Sequence, residues 1–321
     1  VLYGGDSAER EVSLTSGIHV AAALAEAGCS VRAIDPAQLD LRDVDWRDFD
    51  VAYIALHGGA GEDGRVQSLL AALGVPFTGA TSGFYEPTRE TMKRVCRRLG
   101  IDTPAHVMAR GPADVERAAT TLSFPLFVKH PSSYASIDLS RASRVVTPAG
   151  LRRQARKIMR RHGAALIEEY IDGVECTVLV AENPDDPEHP TTYAPVQYRF
   201  PEGEHFKHAD LKWVDYEGMA AFPVEDPALE ARLRDICSRF FVGLGGTSFG
   251  RCDLRVDAAG RPFLLEINAN CGVYYRPADA GGADLCLLSD PAGHEGFTRQ
   301  IVAAALARHG RSGRSGRSGK R

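Results

Sequence analysis

Apolar and polar positions along the first eighty residues follow two periods. Short apolar runs at Val1–Tyr3, Ser30–Ile34 and Val51–Ala55 read as strands. Between them, Val12–Ala27 has the spacing of an amphipathic helix stopped by Gly28, and Gly64–Leu73 reads as a second helix. Such alternation predicts a parallel sheet with crossover helices. Farther along, Thr88–Leu99 reads as a helix stopped by Gly100, Phe124–Lys129 as a short apolar strand ending in a lysine, and Gly150–His162 as a basic helix. Ala165–Glu169 and Val174–Val180 read as strands, and Leu229–Leu244 and Gly296–Arg308 as helices. The polar stretch 182–215 has few periodic signals, as expected of a lid or binding loop. No internal repeat interrupts this order.

The most informative pattern is a hairpin. Phe249–Arg255 and Pro262–Asn268 alternate as strands, and residues 257–260, Asp-Ala-Ala-Gly, read as their turn. Alternation puts Arg251 and Asp253 on one face of the first strand, and Glu266 and Asn268 on one face of the second. If the strands pair, two carboxylates, an amide oxygen and a cation converge. Hard oxygen donors suit Mg²⁺ carrying nucleotide phosphates, and an adjacent arginine suits an oxyanion. A surface hairpin with incidental charges is the alternative. Embedding among Leu, Phe, Ile and Val favours the purposeful cluster.

Composition then narrows the field. The chain has 321 residues, enough for two or three packed units. Its net charge of −4, with basic and acidic residues interleaved, disfavours a nucleic-acid binder. No apolar run approaches the roughly 20 residues of a membrane span, and the seven cysteines lack metal-ligand spacing. They read as reduced thiols of a cytoplasmic protein. The chain opens on Val1 where a strand would normally already be under way, so it is expected to lack its start or to be cut from a longer product. Residues 310–321, rich in Arg, Ser and Gly, are expected to form a disordered basic tail.

Four further segments carry candidate chemistry. Gly4–Ser13 follows a strand and opens a helix, a place suited to anions and equally to a plain capped turn. His57 lies in Ala55–Gly64, a loop at the end of a strand, where open α/β sheets bind ligands. Lys129 precedes a loop rich in hydroxyls, including Ser136, and can neutralise phosphate or snorkel to the surface. Residues 166–175, with Glu168, Ile171 and Glu175, can offer main-chain groups to an adenine edge and a carboxylate to ribose, or form an ordinary strand–turn–strand.

Taken in order, these five segments resemble the D-alanine–D-alanine ligase family of the ATP-grasp superfamily over nearly all of residues 1–308. The specific pieces are Gly-Gly-x-Ser-Ala-Glu-Arg-Glu-Val-Ser-Leu at 4–14, Ala-Leu-His-Gly and Gly-Glu-Asp-Gly within 55–64, Gly-Arg-x-Asp at 250–253 and Leu-Leu-Glu-x-Asn at 264–268. The resemblance implies an α/β ATP-grasp fold: an N-terminal parallel-sheet substrate unit at 1–80, a central unit at 81–164 and a catalytic unit at 165–309, the last two clasping ATP. It implies an ATP-dependent ligase that phosphorylates a carboxylate and lets an amine attack the acyl phosphate. Two Mg²⁺ ions are expected, with Mn²⁺ as a substitute. The partners implied are small amino-acid-like substrates, and a homodimer is left open.

By the same resemblance, Arg251 matches the oxyanion-stabilising arginine, and Asp253, Glu266 and Asn268 match the metal ligands. Lys129 matches the phosphate lysine, and Glu168, Ile171 and Glu175 the adenosine positions. Glu9 matches the acid anchoring the first substrate's ammonium, and His57 a histidine close to that substrate. Lys212 matches a lid lysine reaching the phosphates, and Ser136 falls in the phosphate loop. The chain also departs from the pattern. Arg89 stands where a nucleotide lysine is usual, and Asp138 adds an acid near the phosphates. Pro277, after Arg276, replaces a serine that meets the second substrate's carboxylate. These changes imply an altered second-substrate pocket and a product other than the cell-wall dipeptide. The alternative they raise is an ATP-binding module without ligase chemistry, acting as a regulatory or partner domain. The intact hairpin cluster opposes it.

Overall fold

In the computed structural model of the chain, residues 1–59, 63–81, 84, 88–131, 138–207, 218–275 and 280–318 are described. The N-terminal unit is parallel, as its alternation predicts. Leu2 bridges both Ile34 and Ile54, and Ala52 bridges Phe77, all in parallel sense. These contacts are single bridges rather than long ladders. Helix α1 (Arg10–Glu26) begins two residues before its expected start, and α2 (Arg65–Ala72) follows the third extended segment. Leu2, Ile34, Leu56, Val66 and Leu70 form the local core.

Next comes α3 (Arg89–Leu99). Thr88 Oγ1 accepts a hydrogen bond from the Thr91 amide, and Gly100 ends the helix at φ 65°, a left-handed conformation that favours glycine. A four-stranded antiparallel sheet follows, in the order β1 (His106–Ala109), β4 (Ala165–Glu169), β2 (Leu126–Lys129), β3 (Arg144–Val145). Two helices cover it, α4 (Pro112–Thr121) and α5 (Pro148–His162), each with proline in its first turn. The break expected at residue 164 precedes a strand of this same sheet, because β4 pairs with both β1 and β2. At the other end, Met92, Val95 and Cys96 of α3 pack into the core of the last unit rather than this one.

That last unit is an antiparallel sheet in the order β10 (Pro262–Ala269), β9 (Phe249–Asp257), β5 (Gly173–Ala181), β7 (Val196–Arg199), β8 (Ala220–Pro223), with β6 (Thr191–Thr192) paired to β5. The polar stretch 182–215 therefore is not all loop. It supplies two short strands, whose few residues give too little alternation to stand out among polar neighbours. Helices α6 (Pro227–Gly243), α7 (Gly282–Leu288) and α8 (Gly293–Ser318) complete the unit. Helix α8 runs through Ser318, into the segment expected to be disordered.

The N-terminal and last units share a core. Val20, Leu24 and Tyr53 pack with Leu179, Tyr193, Phe249, Phe297 and Ile301. Arg308 of α8 adds a polar tie, donating to the Phe77 carbonyl and pairing with buried Glu182. Loops from opposite ends of the chain are thereby held against one another.

Candidate active site

The hairpin forms as its alternation predicts. β9 and β10 pair antiparallel, with Asp253 opposite Glu266 and Arg251 opposite Asn268, past a register shift between Leu264 and Glu266. Arg251, Asp253 and Asn268 are joined by hydrogen bonds. Arg251 grips Asp253 with Nε to Oδ1 at 3.0 Å and a second nitrogen to Oδ2 at 2.9 Å. Asn268 donates to Asp253 Oδ2 at 3.0 Å, and Thr177 on β5 donates to Oδ1 at 2.8 Å. Burial pushes the Asp253 carboxyl up, but Arg251 outweighs it and the group stays ionised below its ordinary value.

Glu266 is paired with Arg89, at 2.6 Å. Each carboxylate of the hairpin thus already faces a cation, the charge a bound metal would supply. Among the described residues no three His, Cys, Asp or Glu side chains form a metal cage. Two carboxylates and an amide oxygen instead fit Mg²⁺, which keeps several waters and shares phosphate oxygens.

Behind this hairpin lies a buried ion cluster. The Glu168 carboxylate sits between Lys129 at 2.5 Å and Lys93 at 2.9 Å, all three side chains at most 6% exposed. Lys93 also donates to Thr103 Oγ1. Burial alone would raise the Glu168 carboxyl; Lys129 and Lys93 reverse this and bring it down to about 2. Lys129 moves the other way: burial lowers it more than Glu168 restores it. The carboxylate has two cations, while each cation has half a carboxylate. With Arg89 and Glu266 the cluster holds three cations, Arg89, Lys93 and Lys129, against two carboxylates. The cationic excess suits an anion.

The positions expected at adenosine lie where the chain passes between the two sheets. Glu168 ends inside the ion cluster, paired with Lys129 and Lys93. Ile171 lies in the link from β4 to β5. Glu175 on β5 faces Lys207 at 3.4 Å and Arg255 at 3.5 Å. The start of the polar segment docks here too. Tyr170 Oη and Arg255 both donate to the His205 carbonyl, Phe206 packs edge-on against Phe127, and Lys207 lies over the Tyr198 ring. The root of the expected lid is therefore seated beside the expected nucleoside positions. Lys212 and Ser136 lie outside the described residues, as do Arg276 and Pro277.

The added acid Asp138 does not oppose anion binding through a free charge. His162 Nε2 lies 2.6 Å from its Oδ2, and Arg161 pairs with its other oxygen. His130 packs edge-on against His162 at 4.1 Å. The residues that flank 132–137 on either side thus both meet the C-terminal end of α5.

On the N-terminal side, Gly4 and Gly5 adopt φ of 76° and 74°, so the backbone turns where other residues would be strained. Ser13 stitches this turn to the next loop, accepting from the Gly4 amide and donating to the Ala55 carbonyl, both at 2.8 Å. Ser7 donates to the His57 carbonyl at 2.6 Å. Glu9 sits exposed at the start of α1, with its Cβ close to Gly58. His57 shares a hydrogen bond with Ser16 Oγ at 2.9 Å, and burial lowers its pKa to about 4, so it is neutral near pH 7. A cavity of about 180 Å³ opens beside these loops, lined by Gly5, Ser7, Ala37, Leu56 and His57 among others. Its lining is confined to the N-terminal unit.

Across the shared core, His57 stacks on Tyr275, ring centroids 5.9 Å apart. Sequence reasoning missed the positions of Tyr275, Lys93 and Thr177. Lys93 on a helix reads as a solvated lysine, and Thr177 as one more strand residue; neither carries a local signal.

Comparison with known proteins bears on this geometry. Residues 96–275 match the family model described as D-ala D-ala ligase C-terminus, and residues 30–80 match D-ala D-ala ligase N-terminus. A D-alanine–D-alanine ligase of Pseudomonas putida strain GB-1 is 35% identical over 276 residues, covering 85% of this chain and 83% of the relative. One from Cupriavidus necator is 32% identical over 308 residues, covering 95% and 90%. The crystal structure of the Bacillus anthracis D-alanine–D-alanine ligase complexed with ATP superposes with a TM-score of 0.75 at 22% identity, covering 97% of this chain and 98% of that one. Its likeness shows the fold. Among the described residues, no helix is long and apolar enough to cross a membrane.

Proposed function

The chain belongs to the D-alanine–D-alanine ligase family, ATP-dependent enzymes that form a carbon–nitrogen bond, and from that premise we propose that it joins an amino-acid carboxylate to an amine through an acyl phosphate. A carboxylate oxygen of the first substrate attacks the γ-phosphorus of ATP, and ADP leaves. The amine nitrogen of the second attacks the acyl carbon, a tetrahedral oxyanion forms, and phosphate departs with the carboxylate oxygen. One proton of the attacking amine is released.

Each residue has a place in this reading. Glu9 holds the first substrate's ammonium, with neutral His57 beside it. Arg251, on the strand face next to Asp253, donates to the oxyanion. Arg89 and Lys129 attract the phosphates, and Glu168 and Lys93 keep Lys129 in place. Ile171 and Glu175 flank the nucleoside. Mg²⁺, held by Asp253, Glu266 and Asn268, would neutralise the phosphate charge when bound. Lys212 and Ser136 reach the phosphates from the lid and loop. Closure of that lid keeps water from the acyl phosphate.

The observation that carries the proposal is the hairpin register: Asp253 against Glu266, Arg251 against Asn268, backed by a cluster with more cations than carboxylates. Arg276 and Pro277 depart from the pattern of the resemblance, and the amine is left to experiment. ADP release should be screened over D- and L-amino acids with Mg²⁺. We expect release to require a productive pair, to stop with EDTA, and to be lost in Asp253→Ala and Glu266→Ala at unchanged fold. Turnover in both variants equal to wild type would remove the hairpin from the site.

A further inference from the structure

Tyr275 occupies a position that the chemistry above does not use. Its ring lies against His57 of the N-terminal unit, with 24° between the ring planes. Its Oη packs against Gly272, where a Cβ would collide with it, and its ring edge is 3.0 Å from the place of a Cβ on Gly281. The next residue, Gly282, stands against Arg251: a Cβ there would be 3.0 Å from Arg251 Cδ. Tyr275 and Arg251 therefore stand against adjacent glycines, Gly281 and Gly282, and His57 closes the other side of the ring. Burial raises the phenol's pKa, and the next influence is the charge of Glu9. The phenol is thus neutral and within electrostatic reach of the carboxylate taken to hold the ammonium.

The backbone that carries the ring is also held. The preceding residue, Tyr274, adopts φ 67°, a left-handed conformation uncommon for a non-glycine residue. Its surroundings enforce it. The Tyr274 amide donates to buried Asp284 at 2.7 Å, its carbonyl meets His19 Nδ1 at 3.1 Å, and its hydroxyl lies 2.6 Å from Thr298 Oγ1. His294 Nε2 braces Asp284 in turn, at 2.9 Å. With its neighbour pinned at three points, the backbone that carries Tyr275 is held in place.

Resting on the ligase reading, we propose that Tyr275 is a specificity-determining residue: its ring walls the amino-acid seat between His57 and Arg251 and excludes substrates with bulky side chains. The ring and its hydroxyl already lie against Gly281 and Gly272, so no room is left there for a further side-chain carbon. Packing limits of this kind discriminate by roughly 10- to 200-fold for a single side-chain carbon.

The test is a size series. ADP release and amide product are measured with glycine, alanine, 2-aminobutyrate, valine and leucine, in both stereochemical forms where these exist, for wild type, Tyr275→Ala and Tyr275→Phe. Wild type should lose kcat/KM steeply beyond alanine. Tyr275→Ala should raise kcat/KM for valine or leucine relative to alanine by roughly 10-fold or more. Tyr275→Phe should keep the wild-type size limit, because the ring and not the hydroxyl sets it. If Tyr275→Ala does not fold, Tyr275→Leu replaces it and should shift the limit the same way. An unchanged size profile in the truncated variant, with activity retained, overturns this proposal and leaves the ligase reading intact. No turnover with any amino acid by any form overturns both.

Discussion

Replacing Glu168 with Gln should remove the central charge of a buried triad. The carboxylate is 3% exposed and holds two ammonium groups at 2.5 and 2.9 Å. Its pKa falls from 4.5 to about 2 in the folded chain. At about 1.4 kcal/mol per unit, that difference corresponds to about 3 kcal/mol of stability. Breaking a buried pair by removing one partner costs about 3–5 kcal/mol, since the other charge is stranded. Both routes give a loss of about 3 kcal/mol near pH 7. The sign with pH follows from the lowered value. The unfolded chain binds the extra proton between about 2 and 4.5, so the contribution is complete above that window and fades as pH falls through it. Urea unfolding of wild type and variant at pH 7, 4 and 3 would measure it. The stability gap should be widest at pH 7 and narrow toward pH 3. A gap below about 1 kcal/mol at pH 7, or one that does not change with pH, would refute the triad as described.

Other consequences are smaller in scope. Arg251→Ala should lower turnover by about 10²–10³ while ATP affinity, read by calorimetry, barely changes, since an oxyanion donor acts after nucleotide binding; an equal loss in affinity would make Arg251 a nucleotide-positioning group. His162→Ala removes a partner of Asp138 and should raise KM for ATP severalfold with little change in kcat, and an unchanged KM would dissociate the C-terminal end of α5 from the phosphate loop. Lid closure should alter Trp213 fluorescence in a Trp46→Phe background when Mg²⁺ and a non-hydrolysable ATP analogue are added, and should slow proteolysis within 202–215. A signal that stays flat with saturating nucleotide and substrates would count against a closing lid.

How far the sequence exposed this arrangement depended on the length of the signal. The hairpin was legible because a strict two-residue period over both strands sets faces and register together. The N-terminal unit was legible from strand–helix alternation ending in glycine turns. β1 and α4 left weaker marks. His106–Ala109 is four residues long, and Pro112–Thr121 shows its start only in Pro112 and Asp114. β7 is likewise four residues, inside a polar stretch whose composition reads as loop. Side-chain partners were the least legible. Nothing local to Asp138 shows that Arg161 and His162, on another element, pair with it. Nothing near Glu168 shows that its carboxylate turns toward Lys93, more than seventy residues earlier in the chain. Tyr275 reads as one aromatic in a loop until the shared core brings His57 against it.

The ligase reading requires that a substrate carboxylate be activated by phosphorylation before the amine attacks. The direct test uses an accepted amino acid labelled with ¹⁸O in its carboxylate, with the amine in excess, and mass spectrometry of the inorganic phosphate formed. An acyl phosphate intermediate requires one labelled oxygen in phosphate for each amide made. Phosphate that carries no label while amide accumulates would rule out the acyl phosphate.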